Sequence, residues 1–566
     1  MQDEVAFDFP DRSVQKERSA GAAKGSFALA DCLSEGFDAG RSAARDAGFT
    51  GDSGTAPRAE PATAEAPLRP IWVVPSVNPV GHGAKFFVDH QNDATAADVL
   101  LAEREGYRSV EHLKRYTTMG MGTDQGKTSN VNALAIMAQK LGRDIPQVGT
   151  TTFRPAYTPV TIGVFGGHER GDLMDPLRRT ALHHWHENAG AKWENVGQWR
   201  RPWFYPRPGE TMHDAVNREV KATRSGVGIM DASTLGKIDI QGPDSVELLN
   251  WVYCNAWSNL EIGRCRYGFM LGEDGMIFDD GVTSRLGDHH FHMTTTSGGA
   301  ARVLGWLENW LQTEWPDMRV FCTSVTEQWS TVAVNGPFAR KLLGELTKDI
   351  DLDAKQFPFM SFRDGQVAGI PARVYRISFT GELSYEINVA PSYALALWQA
   401  LMTAGEKYGV TPYGTEAMHV LRCEKGFVIV GQETDGTVTP QDLGMDWIVS
   451  KKKKDFLGKR ALARADTARA DRKHLVGLET ENPSELIPEG GQVVAELKDK
   501  PPMSMLGHVT SSYYSPNVGR SIAMALLKNG RNRMGETVHI PLADRVIRAR
   551  VMEPRFFDLE GKRIDG

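Results

Sequence analysis

Residues 266–285 read RYGFMLGEDGMIFDDGVTSR, two short apolar runs separated by Gly272-Glu-Asp-Gly275. Turn residues between two such runs specify an antiparallel hairpin, and a lone hairpin is unstable until one face is buried against further structure. This stretch therefore imposes a sheet on whatever surrounds it. The hairpin ends in Asp279-Asp280. Adjacent strand residues point to opposite faces, so the two acids cannot share one proton over one substrate. Only one of them can face a site beside Tyr267, and periodicity alone leaves open which one.

Similar signals recur from Asp175 onward. Strands are expected at residues 237–240, 266–271, 276–280, 291–295, 331–334, 372–378 and 385–389. Helices are expected at 243–252, 300–311, 338–346, 393–408 and 415–422. Strands and helices in segregated groups, without a βαβ rhythm, indicate an α+β fold. Residues 475–551 read as mostly strand and should close as a small β domain.

The chain begins differently. Residues 27–48 are alanine-rich, with Leu29, Leu33 and Phe37 at four-residue spacing, the pattern of an amphipathic helix ending at Gly48. The Ala-, Pro- and Glu-rich stretch that follows has no periodicity and reads as a linker. A compact segment at 71–147 combines an apolar strand at 71–74 with helices at 94–105 and 131–141. Between those helices the loop Lys114 to Asn130 holds several glycines, Lys127 and a Ser129/Asn130 cap. Free backbone N–H groups at a helix start suit a phosphate, although Met121 stands where a Walker A loop needs glycine. An ordinary capped helix explains the residues equally well.

A chain of 566 residues with 41% hydrophobic content can bury several cores, and its net charge of −6 gives no electrostatic footprint for nucleic acid. The start lacks the basic flank and apolar core of a secretory signal, and no apolar run reaches membrane-spanning length, so a cytoplasmic protein is expected. Cys32, Cys254, Cys265, Cys322 and Cys423 form no CxxC pair and read as reduced thiols. His183 and His186 would share a helix face while His184 points away, so no metal site is expected.

The run Gly228-Ile-Met-Asp231-Ala-Ser-Thr-Leu235, then Gly242-Pro-Asp and Tyr267 to Asp280, resembles the aminomethyltransferase fold of the glycine cleavage T-protein. Phe379-Thr-Gly-Glu-Leu-Ser-Tyr-Glu386, Gly431-Gln-Glu, Asp455-Phe-Leu-Gly-Lys459 and the run Gly507 to Pro516 continue the match in order, over residues 176–566. The loop Lys114–Asn130 resembles the middle region of the α subunit of heterotetrameric sarcosine oxidase. The resemblance implies an organisation in five parts. Residues 1–50 would be the remnant tail of a nucleotide-binding oxidoreductase domain, 51–70 a linker, and 71–165 a small, mostly helical domain at a flavin and subunit interface. Residues 170–470 would be the folate-binding domain and 471–566 a barrel-like C-terminal domain, the chain corresponding to the C-terminal portion of a longer subunit.

By the same resemblance Asp280 is the functional acid of its pair, and Leu235, Tyr267, Val282, Phe379 and Glu386 bind folate, Glu386 matching the two parallel N–H donors of a pterin edge. Met418 stands where the T-protein has an arginine and Thr296 where it has an asparagine, which leaves Arg422 or the run 451–454 for the folate tail. Arg115, Lys127, Thr128 and Ser129 are candidates for the phosphate of an FMN shared with a β subunit. The implied activity is that of a sarcosine oxidase acting with β, γ and δ subunits. A flavin elsewhere oxidises the N-methyl amine, and tetrahydrofolate here captures the carbon as 5,10-methylenetetrahydrofolate with release of glycine; without folate the product is formaldehyde. No Gly-x-Gly-x-x-Gly follows a strand, so NAD is expected only if a separate N-terminal half supplies its site. An N-methylglutamate dehydrogenase subunit, a glycine-cleavage-type aminomethyltransferase and a non-catalytic folate-binding assembly subunit remain as alternatives.

Overall fold

The computed structural model describes residues 15–52, 54–60, 70–155, 157–169, 171–173 and 176–566, in two compact units, Met1–Arg170 and Gly171–Gly566. Residues 61–69 of the expected linker and Asp175, where the strand pattern was placed to begin, lie outside the described residues.

In the first unit the helix Leu29–Asp46 forms as the four-residue spacing predicts, and it buries none of its residues. The compact part is built on helices Ala96–Arg104, Val110–Thr117 and Asn130–Leu141, whose Val99, Leu113, Ala133 and Met137 share one core. Thr95 starts the first of these with a capping box: its hydroxyl accepts from the Asp98 N–H, and the Asp98 carboxylate accepts from the Thr95 N–H. Residues 71–74 are not a strand. Among the described residues the only sheet in this unit pairs Phe87–Asp89 with Ala94–Thr95, which gives 71–74 no described strand to complete a ladder, and Trp72 and Val73 pack on the helical core instead.

Among its described residues the second unit contains two large sheets, a barrel and the two-stranded hairpin Lys192–Val196 with Trp199–Phe204. The five-stranded antiparallel sheet has the order Phe321–Ser324, Gly236–Gln241, His290–Thr295, Ile277–Gly287, Cys265–Leu271. Its Ile238, Ile240, Phe291 and Met293 pack beneath helices Ser245–Val252 and Ala300–Thr313. Alternation then sends Lys237, Thr294, Val282 and Tyr267 to the helix-free face. The six-stranded sheet has the order Ser361–Val367, Ile370–Arg376, Ser384–Val389, Ser330–Asn335, Val227–Asp231, with Val410–Pro412 added in parallel at the edge. Val332, Val334, Val374 and Ile387 pack against helices Ala339–Leu346 and Ala394–Gly405. Met230 and Ala333 face the other way, with helices Met212–Ser225 and Thr415–Lys425.

The two sheets are joined edge to edge. Cys265 N–H donates to the Met360 carbonyl at 2.8 Å, and Phe362 N–H to the Gly263 carbonyl at 3.1 Å. Lys473–Thr480, Arg520–Lys528, Met505–Ser515, Gln492–Val494, Thr537–Pro541 and Val546–Met552 close a barrel, as the strand-rich end of the sequence implies. Helix Thr415–Lys425 is tied to it through Arg422, which is fully buried. Its guanidinium pairs with Glu433 at 2.8 Å and donates to the Ser511 hydroxyl at 2.7 Å. Removing one partner of such a pair leaves an uncompensated buried charge, so Glu433→Ala should destabilise this unit by about 3–5 kcal/mol. Chemical denaturation monitored by tryptophan fluorescence measures it, and an unchanged unfolding midpoint would contradict the assignment.

Candidate functional site

The hairpin builds the first half of the site. Gly275, at φ 84°, closes the turn by donating to the Gly272 carbonyl at 2.9 Å. Past the turn, Asp279 pairs with Met270 and Ile277 with Leu271, so Phe278 is the extra residue of a bulge. Its ring stacks on Trp306 on the helix-covered side. Beyond the bulge the pairing is regular, and it assigns the two acids opposite faces.

Asp279 is 3% exposed and points to the helix side. It accepts from Thr296 N–H at 3.2 Å and Thr296 Oγ1 at 3.0 Å, which locks the turn before helix Ala300–Thr313. Asp280 points to the helix-free face, where Tyr267 Oη donates to its Oδ2 at 2.5 Å. Gly281, next along the strand, admits no side chain: a Cβ there would meet the Thr294 carbonyl oxygen at 1.9 Å. Burial raises the Asp280 carboxyl to about 7, with the Asp279 charge adding to the rise and the Tyr267 hydrogen bond opposing it. The Tyr267 hydroxyl is held well above its ordinary value by the same burial and by Asp280.

The second half comes from the other sheet. Glu386 pairs across strands with Tyr375 on one side and Ala333 on the other, so all three share the face that Ala333 and Met230 identify. Tyr375 Oη lies 3.4 Å from Ser284 Oγ, and Ser284 sits on the same face of its strand as Val282 and Asp280. The helix-free face of the five-stranded sheet and the Glu386 face of the six-stranded sheet therefore look toward each other. Val282 closes the seam by packing against Cys265, Tyr375 and Ile377. Glu386 is only partly exposed and accepts no hydrogen bond from any described residue. Burial pushes its carboxyl up to about 7, with Lys237 acting in the opposite direction.

Leu235 ends the turn after strand Val227–Asp231 and packs beside Met418 and Tyr513. Phe379, 36% exposed, lies before strand Ser384–Val389 and stacks on Phe427 at 6.3 Å. The fold thus gathers Asp280, Tyr267, Val282, Leu235 and Glu386 around one inter-sheet space, with Phe379 on the turn leading into the Glu386 strand. Sequence reasoning missed Lys237, whose buried amine donates to the Ser233 and Leu235 carbonyls at 2.9 and 3.0 Å. A lysine at a strand position that alternation turns toward the interior was the available signal.

Three expectations need correction. Arg422 is not free for a ligand, because Glu433, Gln432, Ser511 and the Phe427 carbonyl already take its donors. Lys453, in the basic run beside it, is spent on the Asn250 and Tyr253 carbonyls. In the loop of the first unit the donors expected to meet a phosphate are already engaged within the chain. The Asp89 carboxylate accepts from the N–H groups of Gly120, Gln91 and Asn92, and Asp124 from those of Gly126 and Thr128. Arg115 pairs with Glu111, Lys127 donates to the Tyr157 carbonyl, Thr128 to Asp124, and Ser129 is buried 3.4 Å from Asp89 without capping its helix. These residues as arranged do not fit the FMN phosphate proposed for them. Of the histidines, His186 is buried between Asp231 and Tyr205, His183 stacks on Trp193, and His184 is exposed beside Glu187.

Comparison with known proteins follows this geometry. Residues 182–453 match the GCVT N-terminal domain, 473–558 the glycine cleavage T-protein C-terminal barrel domain, and 83–168 the sarcosine oxidase A3 domain. The sarcosine oxidase subunit alpha of Corynebacterium sp. (strain P-1) is 49% identical over 563 residues, 98% of this chain. Nearly the whole chain matches part of a sarcosine oxidase alpha subunit. It spans 58% of that relative's length, and 55% of the subunit alpha from Rhizobium meliloti (strain 1021), to which it is 42% identical over 550 residues and 96% of its own length. The crystal structure of the glycine cleavage system aminomethyltransferase T from Bartonella henselae superposes with a TM-score of 0.59 at 26% identity. That match covers 68% of this chain and 99% of the other. The α+β fold with its closing barrel is the aminomethyltransferase-type fold that the motifs implied. Among the described residues no helix is long and apolar enough to cross a membrane.

A stability measurement tests the environment of Asp280. Its folded-state value lies above its ordinary 3.8, so the folded state holds the proton between about pH 4 and 7 while the unfolded chain releases it. Stability from this group is present at low pH and is lost as pH rises through 7. Asp280→Asn should therefore match the parent near pH 4, gain melting temperature relative to it up to pH 7, and keep a constant advantage above. A relative loss of stability on going from pH 5 to 8 would show that the carboxylate is not desolvated.

Proposed function

We propose that this chain binds tetrahydrofolate between its two sheets and, as part of a sarcosine oxidase, transfers to it the one-carbon unit of an oxidised N-methyl amine. The observation that carries this reading is Glu386: a recessed carboxylate that accepts no hydrogen bond from the described residues and faces the cleft. A pterin edge supplies two parallel N–H donors, which a carboxylate accepts in bidentate form. Tyr267, Val282, Leu235 and Phe379 offer aromatic and aliphatic surface for a flat ring system.

The chemistry asks little more of the chain. When the iminium derived from sarcosine meets tetrahydrofolate, two C–N bonds to the folate nitrogens replace the C=N bond to glycine, and the two folate N–H protons pass to the departing amine. Asp280, held near neutrality and already bonded to Tyr267, is placed to take and return one of those protons. Burial between the sheets keeps bulk water, and with it formaldehyde formation, from competing. The family relation supports association with flavin-bearing and smaller subunits, and the flavin there supplies the amine oxidation.

The test separates binding from transfer. Asp280→Asn should retain tetrahydrofolate binding within about tenfold, yet in the assembled complex with sarcosine it should lose about 10²–10⁴-fold of the 5,10-methylenetetrahydrofolate rate and release formaldehyde instead. Calorimetric titration and product analysis measure the two. Unchanged methylene transfer in this variant would make the site a folate-binding platform only, and turnover of N-methylglutamate in place of sarcosine would reassign the substrate.

A further inference from the structure

Strand Gly236–Gln241 pairs Lys237 with Thr294, and the Thr294 hydroxyl donates to the Val282 carbonyl and accepts from the Val282 N–H, each at 3.0 Å. Val282 in turn pairs with Tyr267. One cross-strand row on the helix-free face therefore runs Lys237, Thr294, Val282, Tyr267, and two members of it are slot-lining residues. Lys237 is 1% exposed, an expensive position for an ammonium without an ion pair. Its Nζ donates to the carbonyls of Ser233 and Leu235, and Leu235 is a third slot residue.

Among the described residues, Lys237 is also the cation that acts on Glu386 from the opposite wall. The other titratable groups around that carboxylate are Cys265 at the start of the hairpin, Tyr375 on the adjacent strand and Tyr413 beyond strand Val410–Pro412. Burial keeps all three neutral by pushing the thiol and both phenols up. Asp231 acts on Lys237 from the strand before the Leu235 turn, but its own charge is taken up by His186, Thr180 and the Ser233 N–H.

We propose that Lys237 is a positioning residue of the folate slot. Its two carbonyl contacts hold the Leu235 turn, and its charge keeps Glu386 ionised to receive a ligand's N–H groups. This inference rests on the folate reading. It adds a pH window that the reading alone lacks: burial lowers the Lys237 ammonium to about 8 and raises Glu386 to about 7, so both charges coexist only over a narrow range.

The experiment is the affinity of the full chain for 5-formyltetrahydrofolate, read by tryptophan fluorescence from pH 5.5 to 9.5, for the parent and for Lys237→Met, Lys237→Gln and Lys237→Arg. The parent should bind along a bell-shaped profile, gaining affinity through pH 7 and losing it above 8. In the Met and Gln variants the acid limb should move up by about one unit, which weakens binding at pH 7 about fivefold, and the alkaline limb should vanish. The Arg variant should keep the acid limb in place and extend binding to higher pH. No binding by the parent overturns the folate reading and this inference with it. Parent binding with the same two limbs in the Met and Gln variants overturns this inference alone. So does failure of those two variants to fold while the Arg variant folds, since the charge would then serve the fold rather than the slot.

Discussion

The two-residue period of the hairpin, held in phase by a single bulge, is the constraint on which the site depends. Asp279 and Asp280 are the same side chain one position apart, yet one is committed to a turn and the other to a cleft. The commitment of Asp279 is what frees Asp280. By locking Thr296 ahead of helix Ala300–Thr313, Asp279 joins the strand to the helix layer beneath it, so the strand cannot slip by one residue without burying a carboxylate among Phe291, Met293 and Leu307. The desolvated acid on the other face is a product of that anchoring.

The space between the sheets has an electrostatic logic of its own. Two carboxylates, Asp280 and Glu386, are raised to about the same value from facing walls, and neither is neutralised by a salt bridge. Asp280 has a phenol as donor, and Glu386 has none among the described residues. A buried carboxylate kept without a hydrogen-bond donor costs stability in the free protein, and such a cost is expected at a binding site rather than in a core. The buried pair Arg422–Glu433 shows the contrast, since there the chain satisfies both charges from within.

Most of the architecture was legible because periodicity and turn residues are strong signals. The strands around the hairpin and the helices after Gly242, Gly299 and Gly414 fall within a few residues of expectation. The second hairpin strand extends to Gly287, beyond the expected end at Asp280, since Val282 and Ser284 continue the ladder opposite Tyr267 and Cys265. Helix Met212–Ser225 went unmarked because its interior carries Glu219 and Arg224 at buried positions, which blurs the apolar stripe. Strand assignment at residues 71–74 failed for the opposite reason: an apolar run was read as a strand although the described residues hold no partner strand for it. In the site, Asp280, Tyr267 and Glu386 are named by the resemblance, since the strand period alone leaves open which of the two acids faces inward. The state of Arg422 was not legible, because whether an arginine is free or spent is settled by residues far away in sequence, here Glu433 and Ser511.

The nest of N–H groups in the first unit carries a consequence of its own. Its anion is Asp89, a residue of the same chain, fixed thirty-one positions before Gly120. A tethered carboxylate acts at an effective concentration set by the fold and not by the cell, so dissolved phosphate competes with it poorly whatever its level. The loop before helix Asn130–Leu141 is in this sense held by a counterion that the chain itself supplies.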